Sequence, residues 1–204
     1  MGNFFAMISR MKYIERWALM HNTRRENISE HSLEVSILAH ALAVIGNTRC
    51  KKTLNEEKAA LIGLYHDASE IITGDMPTPI KYSSREMKHM FHAVENQACE
   101  HMLTMLPEDM RDAYRGIFFK QEEDDYLWKL VKAADKLSAY IKCMEEISGG
   151  NQEFSSAKET LYAALLQMDL PELRIFMEEF LPAYGKNLDE LQRDAQGAKS
   201  RAET

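Results

Sequence analysis

The sequence has few of the residues that mark a secreted or fibrous protein. Its 204 residues include 3 cysteines, 5 prolines and 9 glycines. The cysteines, Cys50, Cys99 and Cys143, form no Cys-X-X-Cys pair, and their odd number favours a reducing compartment over a disulfide framework. The N-terminal stretch lacks a secretion signal, and no uninterrupted apolar run approaches the roughly 20 residues that a membrane span needs. We therefore expect a cytoplasmic protein with no membrane partner.

Positive charge is also scarce. The chain has 25 Lys and Arg against 32 Asp and Glu, giving a net charge of −7. This balance argues against unselective binding to a phosphate backbone, so duplex nucleic acid is not an expected partner. At about 150 residues per domain, the length predicts one domain. We assign residues 1–190 to it and expect the polar tail 191–204 to be disordered.

Alternating strand patterns with hairpin turns are absent, and apolar residues instead repeat with helical spacing. Three apolar stripes carry this signal: Leu33, Ile37, Leu38, Ala41, Leu42 and Ile45; Leu61, Leu64, Tyr65, Ala68 and Ile72; and Leu127, Leu130, Val131, Ala134, Leu137, Ile141 and Met144. Capping residues place the first helix from Ser29 to Gly46 and the second from Asn55 to just before Gly74. Further helices are predicted at about 3–14, 84–105, 108–119, 153–168 and 171–183. The prediction is an all-α domain.

Polar residues that can bind a metal lie in or at the edge of these apolar helices. They are His31, the adjacent pair His66 and Asp67, and Asp135. The same-face neighbours of Asp135 are largely apolar, so we expect a buried carboxylate that needs a cation. Two imidazoles and two carboxylates suit a divalent ion such as Mn, Fe, Co, Ni or Zn, with positions left for water. Such an ion makes hydroxide near neutral pH and polarises phosphoryl oxygens, which is hydrolytic chemistry.

The order of these residues resembles the H…HD…D pattern of the HD superfamily of metal-dependent phosphohydrolases, an all-α fold in which four such residues hold a divalent metal. The surrounding segments are similar to the bacterial 5'-deoxynucleotidase branch, whose members remove phosphate from deoxyribonucleoside 5'-monophosphates. These segments are Arg16-Trp17, ENISEHS at 26–32, HDASE at 66–70, GDMPTPIK at 74–81 and KAADKLSAY at 132–140. The resemblance spans about residues 4–190, which we therefore expect to form one HD-type helical domain.

The resemblance implies a role for each matching residue. The implied metal ligands are His31, His66, Asp67 and Asp135, and Glu70 with Asp67 would be catalytic. Glu70 lies one helical turn after His66, from where it can assist the attacking water. The implied substrate contacts are Arg16 for the phosphate, Trp17 in the nucleoside pocket, Asp75 for the sugar hydroxyls, and Thr78 in the proline-containing loop after Gly74.

We therefore expect a metal-dependent 5'-deoxynucleotidase, broad for base and selective against ribonucleotides. Relatives in this branch imply a homodimer. Two alternatives stay open: a phosphodiesterase or triphosphohydrolase of the same fold, and a non-enzymatic nucleotide sensor that keeps the metal for stability. Phosphate release from a panel of substrates separates the three.

Overall fold

The computed structural model describes residues 2–81 and 83–194, without the side chains of Thr78 and Pro79. Within these ranges the chain is helical, and its one β-type pairing is an antiparallel bridge between Glu15 and Asn27. The all-α prediction is confirmed. The α-helices are α1 (Phe4–Ile8), α2 (Ile28–Arg49), α3 (Glu56–Tyr65), α4 (Glu70–Thr73), α5 (Thr78–Lys81), α6 (Arg85–Thr104), α7 (Glu108–Phe118), α8 (Asp125–Ser148), α9 (Ser155–Leu166) and α10 (Pro171–Glu179). Short 3-10 segments cover Ser9–Tyr13, Glu122–Asp124, Gln152–Phe154 and Leu181–Gly185.

The main core forms where α2, α3 and α8 pack together and α10 covers them. The stripe predicted on α8 is confirmed, since its members from Leu127 to Ile141 are buried. The stripes predicted on α2 and α3 are partly wrong: Leu33 and Ile37 are 56% and 59% exposed, and Leu61 is 42% exposed. Apolar residues surround most of α2, so their periodicity did not single out the buried face.

The first turn of α2 is stabilised by a capping box rather than by the predicted Ser29 cap. The Asn27 side chain accepts hydrogen bonds from the backbone N–H groups of Ser29 and Glu30, at 3.0 and 3.1 Å. The Glu30 carboxylate in turn accepts from the Asn27 N–H at 3.4 Å. This reciprocal arrangement satisfies N–H groups that a helix start leaves without partners. It also fixes the turn that carries His31.

The predicted helix from Asn55 to Gly74 is one helix in sequence pattern but two in the structure. Its start is confirmed, because the Asn55 side chain caps α3 by accepting from the Lys58 N–H at 2.8 Å. Its continuity is wrong: α3 ends at Tyr65, a turn covers residues 66–69, and α4 follows. Apolar periodicity continues across the turn, so only the backbone shows the break.

The remaining predicted helices occur within a few residues of their expected positions. The first changes to a 3-10 helix after Ile8, and the last does so after Phe180. α2 continues to Arg49, past the stop predicted at Gly46. Of the tail predicted to be disordered, residues 191–194 complete a helical stretch that starts at 188, and residues 195–204 lie outside the described part of the chain.

Gly63 controls the contact between α2 and α3. A Cβ atom on Gly63 would lie 2.9 Å from the Ser36 Cα and 3.1 Å from the Val35 carbonyl oxygen, and neither backbone atom can move alone. We therefore expect Gly63→Ala to push the helices apart and to lower the free energy of unfolding by about 1–3 kcal/mol. Urea unfolding measures this loss.

Gly116→Ala on α7 is the matched control, since its new Cβ would approach only the end of the Lys58 side chain, at 3.9 Å. Helix propensity makes that change neutral or stabilising by up to about 1 kcal/mol. Equal stabilities of the two variants would contradict the steric argument.

Candidate metal centre and substrate loop

Three helical elements bring the predicted metal ligands together. His31 lies in the first turns of α2 and is fully buried, His66 and Asp67 lie in the turn after α3, and Asp135 lies midway along α8. His31 Nε2 is 3.5 Å from an Asp67 carboxylate oxygen and 3.2 Å from one of Asp135, and His66 Nε2 is 3.1 Å from Asp67. Ligand atoms of His31, His66 and Asp67 all lie within 4.8 Å of one another. Asp135 joins this cluster through His31.

Both imidazoles present Nε2 to the same space. His66 Nδ1 is 2.7 Å from the Gly63 carbonyl oxygen, which only accepts, so Nδ1 carries a proton, and Nε2 has the lone pair whenever the ring is neutral. His31 Nδ1 forms a hydrogen bond with Ser138 Oγ at 3.0 Å, which leaves Nε2 facing the cluster. The Nε2 atoms of both rings are buried without a hydrogen-bond partner among the described residues. Buried nitrogen lone pairs beside carboxylates fit a divalent cation of the borderline class.

Asp135 is only partly buried, so the expectation of a buried carboxylate is met in part. Its side chain is 39% exposed, against 22% for Asp67 and 0% for His31. The helical neighbours of Asp135 are largely apolar, yet part of its side chain remains open to solvent.

The charges of the cluster shift one another's pKa values. Burial alone would raise the pKa of Asp67, but the neighbouring His66 and His31 hold it well below its ordinary value. Burial disfavours a charged His66, yet Asp67 outweighs this effect and raises the pKa of His66 to about 9. The site therefore favours positive charge beside its carboxylates.

Glu70 begins α4 directly after the ligand turn. Its residue exposure is 6%, and its Oε2 is buried with no hydrogen-bond partner among the described residues. Burial, together with the charges of Asp67 and Asp75, raises the pKa of Glu70 to about 10. With no metal ion in the site, burial and these negative charges favour the protonated carboxylic acid, although Lys81 and Arg16 oppose the shift. Glu70 can therefore hold or release a proton next to Asp67.

Arg16 and Trp17 lie in residues 14–27, which we call the substrate loop because the sequence predicts substrate contacts there. The backbone N–H of Arg16 donates to the Glu26 carbonyl at 2.9 Å, beside the bridge noted above. The Glu26 carboxylate accepts from the Arg16 guanidinium at 2.5 Å and from Trp17 Nε1 at 3.2 Å. Trp17 has a φ of 58°, which is unusual for a residue other than glycine, and its ring packs on Phe154 with a centroid distance of 5.3 Å. The loop thus holds both side chains in one defined arrangement.

The far end of the substrate loop is anchored to α8 by a buried carboxylate. Glu146 accepts from the backbone N–H groups of Thr23 and Arg24, at 2.8 and 3.1 Å, and from Asn151 at 2.8 Å. Lys142 donates to Glu146 at 2.5 Å and to the Arg24 carbonyl oxygen at 2.5 Å. The Lys142 and Glu146 side chains are 4% and 1% exposed. This network ties the loop to the helix that carries Asp135.

The second predicted substrate segment is only partly described. Asp75 is half-buried, and burial raises its pKa although the charge of Arg16 opposes the shift. The side chain of Thr78 lies outside the described residues. Lys81 follows on α5 with one fifth of its side chain exposed, and it pairs with Glu95 at 2.7 Å. Lys81 is therefore largely buried and paired, and its charge acts on Glu70 and Asp67.

Sequence reasoning missed Ser138, Lys142 and Glu146. Together with Asp135 they recur at spacings of three, four and four residues, which places them along one face of α8. Such a polar row within an apolar helix was the signal available. It indicates that one face of α8 serves the metal cluster and the substrate loop together.

Solved structures of similar fold define the class. An HD-domain phosphohydrolase from Listeria innocua superposes with a TM-score of 0.78 at 21% identity, covering 98% of each chain. A cyanophage S-2L HD phosphohydrolase, solved with dA and one catalytic Zn²⁺ ion, has a TM-score of 0.60 at 21% identity, covering 89% of this chain and 96% of its own. The chain therefore has the helical fold of the HD-domain phosphohydrolases.

Sequence relatives narrow the class to a family. The family model described as 5'-deoxynucleotidase YfbR-like matches residues 3–184. A 5'-deoxynucleotidase of Erwinia tasmaniensis is 46% identical over 194 residues, covering 95% of this chain and 98% of the relative, and one of Cronobacter sakazakii is 45% identical with the same coverage. The chain belongs to the YfbR-like 5'-deoxynucleotidase family. It is a phosphoric monoester hydrolase.

Glu146→Gln tests the anchor of the substrate loop. Glutamine has nearly the same size but cannot balance the buried charge of Lys142, so we expect the free energy of unfolding to fall by about 3 kcal/mol at pH 7. Burial opposes ionisation of Glu146, but its bonds to Lys142, Asn151 and the loop lower its pKa overall. The stabilisation is therefore present above the unfolded carboxyl pKa of about 4.3 and is lost as pH falls through the lower folded value.

Urea unfolding from pH 7 to pH 3 measures this difference, which should shrink below about pH 4. Glu145→Gln, at the exposed neighbouring position, is the control and should stay within about 0.5 kcal/mol of wild type. A Glu146→Gln variant as stable as wild type at pH 7 would show that the buried pair contributes nothing net.

Proposed function

We propose that this chain hydrolyses deoxyribonucleoside 5'-monophosphates to deoxynucleosides and phosphate, with little preference for base and with selectivity against ribonucleotides. The observation that carries the proposal is the pair of buried, unpartnered imidazole Nε2 atoms beside Asp67, within electrostatic reach of Arg16. The relatives named 5'-deoxynucleotidase, and the bound dA of the cyanophage protein, support a nucleotide substrate.

The proposed metal ligands are His31, His66, Asp67 and Asp135. A divalent cation held by them supplies Lewis acidity, which lowers the pKa of water and offsets charge on phosphoryl oxygens. Co, Mn, Ni, Zn and Fe all suit two imidazoles and two carboxylates. The availability of these ions in the cell can decide which of them is bound.

Arg16, Glu70 and Asp67 would carry the chemistry that the chain itself provides. The Arg16 guanidinium offers donors to the phosphoryl oxygens, where negative charge increases in the transition state. Glu70 handles the protons of the attacking water and the leaving group, since its buried carboxyl can hold a proton at neutral pH. Asp67 would keep both imidazoles in place and balance part of the charge of the cation.

The nucleoside would lie between the substrate loop and the segment after Gly74. Trp17 would line the base pocket, where stacking on an indole tolerates any base. Asp75 and Thr78 would contact the sugar and phosphate side of the substrate. Selectivity against ribonucleotides would follow from a pocket that gives the 2'-hydroxyl neither room nor a partner.

We also propose a homodimer in the cytoplasm, with no membrane span and no duplex nucleic acid as partner. Leu33 and Ile37, one turn apart on α2, expose apolar area that a second copy can cover. Among the described residues, one helix, Ile28–Arg49, is long and apolar enough to cross a membrane. It carries His31 and forms the centre of the core, so we assign it to the domain interior. Light scattering measures the mass in solution.

Asp67→Ala tests the reaction and the metal requirement together. Metal-stripped protein is resupplied with Co, Mn, Ni, Zn or Mg and offered deoxy- and ribonucleoside 5'-monophosphates, and released phosphate is measured. We expect release from several deoxynucleotides, little from their ribonucleotide counterparts, and none from the variant, because Asp67 touches both imidazoles. Asp109→Ala, an exposed aspartate on α7, should keep full activity.

Full activity of Asp67→Ala would overturn the assigned ligand set. Release from cyclic or triphosphorylated nucleotides instead of monophosphates would favour the diesterase or triphosphohydrolase alternatives. Tight nucleotide binding with no release under any metal would favour a sensor.

Arg16→Ala tests the phosphate contact. Loss of a positioned donor to the transition state should lower kcat/KM for a deoxynucleotide about 100- to 1,000-fold. Arg25→Ala is the control on the same loop, since its side chain is 83% exposed and 3.9 Å from Glu15, and we expect a change of no more than about twofold. Equal kinetics for the two variants would remove Arg16 from the substrate site.

A further inference from the structure

A chain of two hydrogen bonds lies behind His31, on the side away from the ligand cluster. His31 Nδ1 is 3.0 Å from the Oγ of Ser138, a fully buried residue of α8. Ser138 Oγ is in turn 2.5 Å from a carboxylate oxygen of Glu34, on α2. None of the roles proposed above uses Ser138 or Glu34.

The direction of these hydrogen bonds fixes the tautomer of His31. A serine hydroxyl has one proton, and Ser138 donates it to the Glu34 carboxylate. The oxygen therefore turns a lone pair towards His31, so that Nδ1 must carry the ring proton. Nε2 is then left with the lone pair, and it faces Asp67 and Asp135 at 3.5 and 3.2 Å.

The second imidazole reaches the same state by a different route. His66 is held by the backbone carbonyl of Gly63, which accepts at every pH and in every variant. His31 has no such carbonyl in its described hydrogen bonds and depends on two side chains instead. If Glu34 did not accept the hydroxyl proton of Ser138, that hydroxyl could rotate and donate its proton to His31.

We propose that Ser138 and Glu34 are positioning residues that keep His31 in the tautomer able to bind the metal through Nε2. Glu34 acts through Ser138, and Ser138 acts through His31. Without Ser138 or Glu34, the His31 side chain would remain in the site, but its ring could adopt the other tautomer or rotate. The inference rests on the proposed function only in taking His31 as a metal ligand.

A purely structural role is the competing explanation, because Ser138 also joins α8 to α2. The two explanations differ in the tautomer, which packing alone does not set. They also differ in their dependence on Glu34, whose carboxylate does not touch the ring directly in any described hydrogen bond.

Nitrogen NMR of the histidine rings tests the tautomer directly. The full chain, labelled with ¹⁵N-histidine and stripped of metal, should show His31 protonated at Nδ1, with His31→Gln identifying its signal. In Ser138→Ala, the signal should shift towards a mixture of tautomers. Ser36→Ala is the matched control, because Ser36 also lies on α2 and donates a hydrogen bond, to the Ala60 carbonyl at 2.8 Å, away from the cluster.

Zinc titration of the same proteins tests the consequence. Loss of a partner that orients a metal-binding histidine typically lowers metal affinity 10- to 100-fold, and we expect this for Ser138→Ala and a smaller loss for Glu34→Gln. Ser36→Ala and Glu145→Gln should bind zinc like wild type. Glu145→Gln is a control for charge, because it removes a negative charge that acts on Glu34 and leaves Ser138 unchanged. Thermal unfolding of each variant shows whether it is folded. If Ser138→Ala does not fold, Glu34→Gln provides the test instead.

Two results would overturn the proposal. One is a wild-type protein in which His31 is protonated at Nε2, and the other is unchanged zinc affinity in both Ser138→Ala and Glu34→Gln. A Glu34→Gln variant alone that binds zinc like wild type would remove Glu34 from the proposal. Neither measurement uses a nucleotide, so a failure to hydrolyse deoxynucleotides would leave both results standing.

Discussion

The close contact between α2 and α3 decides where the candidate metal centre lies. Gly63 lets α3 approach the backbone of α2 at Ser36, where any larger residue would collide. His31 lies near the start of α2 and His66 directly follows α3, so this contact brings the two rings to a centroid distance of 5.2 Å. The carbonyl of the same glycine orients His66. One small residue thus sets both the spacing of the ligands and the direction of one of them.

Charge explains why the site is suited to a cation. Asp67, Glu70 and Asp75 lie within electrostatic reach of one another, and burial with mutual repulsion raises the pKa of both Glu70 and Asp75. Arg16 opposes this repulsion from the substrate loop. A divalent ion would relieve it further, because its charge acts at close range in a poorly solvated site. Of the proposed ligands, His31 and Asp135 lie on packed helices, and His66 and Asp67 lie in the short turn between α3 and α4, so little ordering is needed when an ion binds.

One face of α8 connects the parts of the site. Asp135 faces the ligand cluster, Ser138 supports His31 from behind, and Lys142 and Glu146 hold the substrate loop. Since these residues share a single rigid helix, the loop that carries Arg16 keeps its place relative to the metal ligands. The arrangement holds Arg16 and the proposed metal ligands in a fixed relation to one another.

The sequence by itself determined the helical class, the capped start of α3, the buried stripe of α8 and which polar residues cluster at the candidate metal centre. Apolar spacing and helix caps depend on residues that are close in sequence, and the H…HD…D pattern depends only on the order of residues along the chain. Only the tertiary structure decided the break at residues 66–69, the exposure of Leu33, Ile37 and Asp135, and the partners Glu34, Ser138 and Glu146. These features depend on which helix faces which, and contacts between residues more than 100 positions apart leave no local periodic signal.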